Sequence, residues 1–177
     1  DEDGLGDISY QWYRDGDDIS GATADTYTLV QDDVGKTIDL IASYTDGEDT
    51  FELEVITVTG AVVNVNDAPT GSVTITGTAT EDQTLTASNT LADEDGLGAI
   101  SYQWQRGGVN INTATNTTYT LVQADVGKQI SVVASYTDGE GTLESVASAA
   151  TGEVVNVSHL PEGSVTITGT ATEDQTL

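Results

Sequence analysis

Residues 130–136 read Ile130-Ser131-Val132-Val133-Ala134-Ser135-Tyr136, and apart from Val133 the stretch alternates apolar with polar side chains. Successive side chains of a strand point to opposite faces, so this alternation describes a β-strand with one apolar and one wet face. The same period runs through Ile100-Ser101-Tyr102-Gln103-Trp104 and Val73-Thr74-Ile75-Thr76. Between these runs lie clusters of turn formers, Arg14-Asp15-Gly16-Asp17-Asp18, Arg106-Gly107-Gly108 and Thr137-Asp138-Gly139-Glu140-Gly141. No stretch longer than about ten residues keeps a 3.6-residue period, which excludes a helical architecture. About seven short antiparallel strands per 92 residues, with turns roughly every 8 to 12, predict an all-β chain built of β-sandwich modules.

The figure of 92 comes from the chain itself. DEDGLG at 1–6 returns at 93–98, Tyr10-Gln11-Trp12 returns at 102–104, and YTDGE at 44–48 returns at 136–140. Residues 1–85 align with 93–177 without a gap at 58 identities in 85 positions, the mark of a tandem array of like modules. NVNDAPTG at 64–71 reads as a linker, so the repeat frame is out of phase with the chain. It divides the chain into an incomplete module at 1–66 lacking its first strands, a complete module at 67–157, and the opening strands of a further module at 158–177. On that division Ile8, Leu29, Ile38 and Ile41 are expected to be partly uncovered. The cut ends suit either a window on a longer molecule or head-to-tail self-association, in which strands of one copy complete the next.

Composition narrows the class further. Thirty acidic residues stand against four basic ones, for a formal net charge of -26, with no Cys and no Met among 177 residues. A surface of that sign cannot neutralise phosphates, which argues against nucleic acid, and it is repelled by anionic membranes. No apolar run approaches the roughly 20 residues a spanning helix needs, so direct membrane insertion is not expected. Without Cys there is no disulfide framework. An acidic chain with few aromatics that nevertheless folds calls for something to offset its charge, and multivalent cations are the evident candidates.

The segment 9–16, SYQWYRDG, followed by Gly21-Ala22-Thr23, Thr26-Tyr27-Thr28-Leu29 and Asp33-Val34-Gly35-Lys36, resembles the C to E strand region and the strand F corner of I-set immunoglobulin domains. The resemblance implies that Trp12 and Trp104 fill the space between two sheets, although this chain lacks the family's two cysteines and its corner tyrosine. A second resemblance concerns the order Glu81-Asp82, Asp93-Glu94-Asp95-Gly96, Ala124-Asp125, Asp138-Gly139 and then Asn156. It looks like the order of calcium ligands in cadherin repeats, and 64–69, NVNDAP, is close to the cadherin linker with Asn for its first Asp and one residue fewer. The whole module resembles the cadherin-like and immunoglobulin-like repeats of giant bacterial surface adhesins of the RTX, type I secreted kind, which are acidic, nearly identical to one another and stiffened by calcium.

That resemblance implies a calcium site at the 64–69 junction drawing on Asp33, Asn64, Asn66 and Asp67 from one module and Asp93, Asp95 and Asp138 from the next. It implies further candidates at the second junction, Glu81, Asp82, Asp125 and Asn156. Calcium takes six to eight oxygens at about 2.4 Å, which short Asp and Asn side chains on turns supply well. The opposing reading makes these acids solvated turn residues, since Asp-Gly and Asn-Asp are ordinary turn formers. The second linker, Asn156-Val157-Ser158-His159-Leu160-Pro161, loses the Asp and gains the chain's single His, which predicts a weaker site or none.

The four basic residues recur in register, Arg14 with Arg106 and Lys36 with Lys128, and are expected to pair with local carboxylates in a role common to the modules. No Ser-His-Asp set, phosphate loop or nucleophilic Cys appears, so no catalytic residues are assigned. The expected function is a calcium-stiffened structural extender in a secreted or cell-surface bacterial adhesin, its partners being neighbouring repeats. The alternatives are a glycan- or protein-binding module, whose discriminating loops would be the divergent 51–58 and 143–150, and a filament subunit assembling by strand complementation.

Overall fold

The computed structural model describes residues 4–57, 60–169, 171–174 and 176. Asp1, Glu2 and Asp3 of the first DEDGLG, Val58 of the divergent stretch, and Thr170, Gln175 and Leu177 of the C-terminal repeat copy lie outside the described residues.

The chain is all-β. Its elements repeat with the 92-residue offset seen in the sequence: β1 (Ser9–Arg14) and β7 (Ser101–Arg106), β2 (Asp17–Asp18) and β8 (Val109–Asn110), β3 (Ile38–Thr45) and β10 (Ile130–Thr137), β4 (Phe51–Thr57) and β11 (Leu143–Ala147). Single 3-10 turns at Gln31–Asp33 and Gln123–Asp125 keep the same spacing. β5 (Val73–Thr76), β6 (Thr84–Asn89) and β9 (Thr118–Thr120) complete the set, so 67–157 carries seven strands among its described residues. Three antiparallel sheets result, with strand orders β2-β1-β3-β4, β11-β10-β7-β8 and β5-β6-β9, a β-sandwich architecture without a barrel.

The chain divides into two compact units. The first joins Asp1–Ser72 to Asn89–Ser101 and Ala134–Val146, so the 64–69 linker lies within it. In this unit β1 and β3 pair with Trp12 opposite Leu40 and Tyr10 opposite Ala42, and β4 continues the sheet with Ile56 opposite Leu40. Ile38, Leu91, Ala134 and Tyr136 are buried. The second unit, Val73–Ser88, Tyr102–Val133 and Ala147–Leu177, holds Trp104, Leu85, Leu121, Ile130 and Val132, all fully buried. Apolar burial is worth roughly 25 cal/mol per Å² removed from water, so this cluster is the main stabilising element of that unit. The Trp104 indole N–H also donates to Asn116 O at 2.8 Å, and its ring lies 5.7 Å from that of Tyr119.

Equivalent residues of the two repeats differ in burial. Trp12 is half-buried where Trp104 is fully buried, and Leu29 is 48% exposed where Leu121 is 0%. Ile8 is exposed and Ile41 half-buried, as the repeat frame leads one to expect, whereas Ile38 is closed off at 1%. The chain ties itself around that position: Asp15 N donates to Thr37 O and Val62 N to Lys36 O. Residues 163–177 repeat 71–85 letter for letter, yet no strand forms among their described residues, and Val165 is 99% exposed where Val73 is 4%. β5 lies against β6, and strand formation in such a segment depends on that pairing rather than on intrinsic preference.

The burial difference has a measurable consequence. Leu121→Ala is expected to lower unfolding stability by about 2–5 kcal/mol, and Leu29→Ala by about 1 kcal/mol or less because half of that side chain already meets water. Urea denaturation of the two variants checks this, and equal losses would contradict the assigned core.

Candidate functional site

Six carboxylates are buried among the described residues: Asp33, Asp46, Glu81, Asp95, Asp125 and Asp138. A buried carboxylate needs a cation and a full set of hydrogen bonds to be tolerated. Two of the six have both. Asp33 accepts from Arg14 Nε at 2.7 Å through Oδ1, and from Tyr27 Oη at 3.0 Å and Val30 N at 2.8 Å through Oδ2. Asp125 repeats the arrangement with Arg106 Nε at 2.6 Å, Tyr119 Oη at 2.9 Å and Val122 N at 2.8 Å. The 3-10 turn creates this pocket by folding the carboxylate back over the backbone N–H that opens it.

These bonds set Asp33 and Asp125 apart from the other acids expected at calcium sites, because each already has a guanidinium beside it. Both oxygens of each carboxylate are taken by protein donors, and each is fully buried beside a guanidinium. They are the internal staples of each repeat, and Arg14 and Arg106 have the shared structural role that their register implied. Burial works against the Asp33 charge, but hydrogen bonds from Val30 N, Arg14 and Tyr27 outweigh it and hold its carboxyl below the usual range. Lys36 is used on the surface, 3.0 Å from Asp15, whose place in the second repeat is taken by Gly107.

The other acids of the first unit have a different setting. The Asp93 loop docks on the Asp138 turn because Gly139 N donates to Asp95 O at 2.9 Å, and a Cβ on Gly139 would stand 2.5 Å from that oxygen. Gly98 closes the same loop, since a Cβ there would meet Thr137 O at 2.0 Å. Both glycines are thus required by close backbone approach. Asp93 Oδ1 accepts from Asp95 N at 3.0 Å, and Asp93 Oδ2 from the Tyr136 hydroxyl. Burial first, then this bond, and then the charges of Asp93, Glu144 and Asp138, push the Tyr136 hydroxyl far above its ordinary range.

The linker approaches this loop. Asp67 N donates to Asp95 Oδ2 at 2.6 Å, Gln31 Nε2 to Asp95 Oδ1 at 3.0 Å, and Asn66 Nδ2 to Glu144 Oε1 at 2.9 Å. Asp138 Oδ1 accepts from Glu140 N at 3.0 Å and Thr142 N at 2.7 Å, but its Oδ2 is buried without a partner. Asn64 Oδ1 is buried and unpartnered as well. No Lys or Arg side chain forms an ion pair with Asp46, Asp95 or Asp138 among the described residues. Of the predicted first-junction set, then, Asn66, Asp67, Asp93 and Asp95 are linked by hydrogen bonds, Asp138 meets them only through the backbone bond of Gly139 N to Asp95 O, Asn64 has an orphan oxygen in the same unit, and Asp33 is elsewhere engaged; among the described residues no three carboxylates of the set bring oxygens within 4.8 Å of one another.

Glu144, Gln31 and Tyr136 belong to that network without having been expected as site residues. Glu144 left one signal: within the most divergent stretch of the alignment, Glu52 and Glu144 coincide. At the second junction, Glu81 Oε2 accepts from Val157 N at 3.1 Å, Asp82 Oδ2 lies 2.8 Å from His159 Nε2, and Asn156 Oδ1 accepts from Gln123 Nε2 at 3.4 Å. Asp125 does not join them.

No family model and no curated protein matches this chain.

Two outcomes follow from the staples. Arg106→Met leaves the Asp125 carboxylate buried without its cation, and is expected to cost about 3–5 kcal/mol in denaturant unfolding. For Asp33 the folded pKa is depressed, so its contribution is complete above the unfolded value near pH 3.9 and is lost as pH falls through the folded value. Wild-type chain should therefore lose more stability between pH 5 and pH 2 than Asp33→Asn does, as acid titration by circular dichroism would show.

Proposed function

We propose that this chain is a structural extender of tandem modules from a secreted or cell-surface bacterial adhesin, with calcium bound at the junction between repeats. The observation that carries the reading is the set of buried carboxylates left without a basic partner. Asp46, Asp95 and Asp138 share one compact unit, and Asp138 Oδ2 and Asn64 Oδ1 are buried with nothing to bond. Four basic side chains cannot serve thirty acids, and three of the four pair with other acids, Arg14 with Asp33, Lys36 with Asp15 and Arg106 with Asp125.

The donor chemistry fits a hard cation. Asp138 Oδ2 and Asn64 Oδ1 are unpartnered oxygens of the kind calcium prefers, Asp67, Asn66 and Glu144 add carboxylate and amide oxygens, and Asp93 and Asp95 would join only by exchanging their present hydrogen bonds for the ion. Bound there, the ion supplies positive charge where the chain has none, and ties the 64–69 linker to the Asp93 loop and the Asp138 turn. A hinge would become a strut. Extracellular modules hold calcium at about 10⁻⁴–10⁻³ M, which suits a site made of short side chains on turns. Near-identity of the repeats favours a role in length and stiffness, and a strong common charge keeps neighbouring stalks apart. The resemblance to bacterial adhesin repeats supplies the biological setting.

The test is a thermal melt paired with small-angle scattering, in EDTA and then in about 1–5 mM calcium, the range that loads extracellular modules. Calcium should raise the melting temperature by about 4 °C or more and lengthen the scattering envelope. Asp138→Asn retains the Oδ1 acceptor for Glu140 N and Thr142 N while removing the anionic Oδ2, so it should fold and lose most of the calcium response. A wild-type chain indifferent to calcium in both measurements would refute the reading.

A further inference from the structure

We propose that Glu81, Asp82 and His159 form a binding site for a divalent transition cation of the zinc class. Among the described residues this is the one trio of His, Asp and Glu side chains whose ligand atoms all lie within 4.8 Å of one another. Its two sides are positioned by backbone rather than by chance approach of long side chains. Glu81 N donates to Val155 O at 2.9 Å and Asp82 N to Leu121 O at 3.0 Å, which fixes the turn on which Asp82 takes a φ of 66°. The second linker returns past this turn, anchored by Val155 N on Ala79 O at 2.9 Å and by Val157 N on Glu81 Oε2 at 3.1 Å. Two residues beyond that anchor, His159 Nε2 comes to 2.8 Å from Asp82 Oδ2.

The donor set selects the metal. One imidazole with two carboxylates is a zinc-type combination, whereas calcium prefers oxygen alone. The residue that changes the preference is the one at which the linkers diverge, since His159 stands at the position that Asp67 holds in the first. Glu81 is 2% exposed, and no Lys or Arg pairs with it among the described residues, so a cation at this point would offset a buried charge. Zinc bonds of about 2.0–2.2 Å place two tetrahedral ligands roughly 3.4 Å apart. The side chains of Asp82 and His159 are both more than half exposed and are free to adjust to that spacing, while Glu81 is held by the linker.

His159 is the single imidazole of the chain, so it reports on its own occupancy. The experiment titrates zinc chloride into metal-stripped protein by calorimetry, and follows the imidazole resonances by NMR in the same titration. A one-to-one saturable isotherm is expected, with His159 signals shifting to completion at the same end point. His159→Ala should weaken binding by about tenfold or more, and His159→Asp, which restores the first linker's residue, should do the same while melting like wild type in the absence of metal. Imidazole signals that stay put at saturating zinc, or an isotherm unchanged in His159→Ala, would overturn the site and mean that zinc is held diffusely by surface acids.

Discussion

Charge neutralisation inside the fold is the constraint on which the rest of this structure depends. A chain with four basic side chains and thirty acidic ones buries six carboxylates among its described residues, and each of those needs an opposing charge or its equivalent in hydrogen bonds. Each arginine binds the buried carboxylate of its repeat, on the 3-10 turn that precedes β3 or β10. That commitment makes each module self-sufficient at one end and leaves the other end, where Asp46 or Asp138 sits, with backbone donors alone. Exposed acids need no partner; buried ones do. On the proposed reading, a cation at the junction answers that shortage.

The junction network shows how sequence distance is bridged. Asp95, the linker at Asp67 and the 3-10 turn at Gln31 meet because Gly98 and Gly139 allow the Asp93 loop to lie against the strand end and the Asp138 turn. A side chain on either glycine would hold those carboxylates apart. Hydrogen bonding has satisfied Asp95 fully and Asp138 by half, so the loop is organised by the protein's own donors.

Much of the fold was legible in the sequence. The alternation in 130–136 marks β10 to within a residue, 73–76 is β5 as read, and the 92-residue offset places eight strands and two 3-10 turns in corresponding pairs. The role of the arginines was legible too, because Arg14 and Arg106 recur in register. Asp33 and Asp125 were not, since an Asp on a turn reads the same whether its carboxylate points to solvent or back under a guanidinium, and only burial separates the two. Glu144 was hidden in a divergent stretch, and its contact with Asn66 spans 78 positions. Residues 71–85 and 163–177 set the firmest limit on such reading: one sequence forms β5 and opens β6 in the first case, and forms no strand among its described residues in the second.

The most direct test of the central claim, that cations neutralise the buried junction carboxylates, is anomalous diffraction from crystals of this chain grown at neutral pH with calcium and then exchanged into a lanthanide. A compact anomalous peak bonded to Asp138 Oδ2, lost in Asp138→Asn, is what charge neutralisation at the junction predicts. An ordered structure without density there, in which Asp138 Oδ2 is protonated or bonded to protein and water alone, would contradict it.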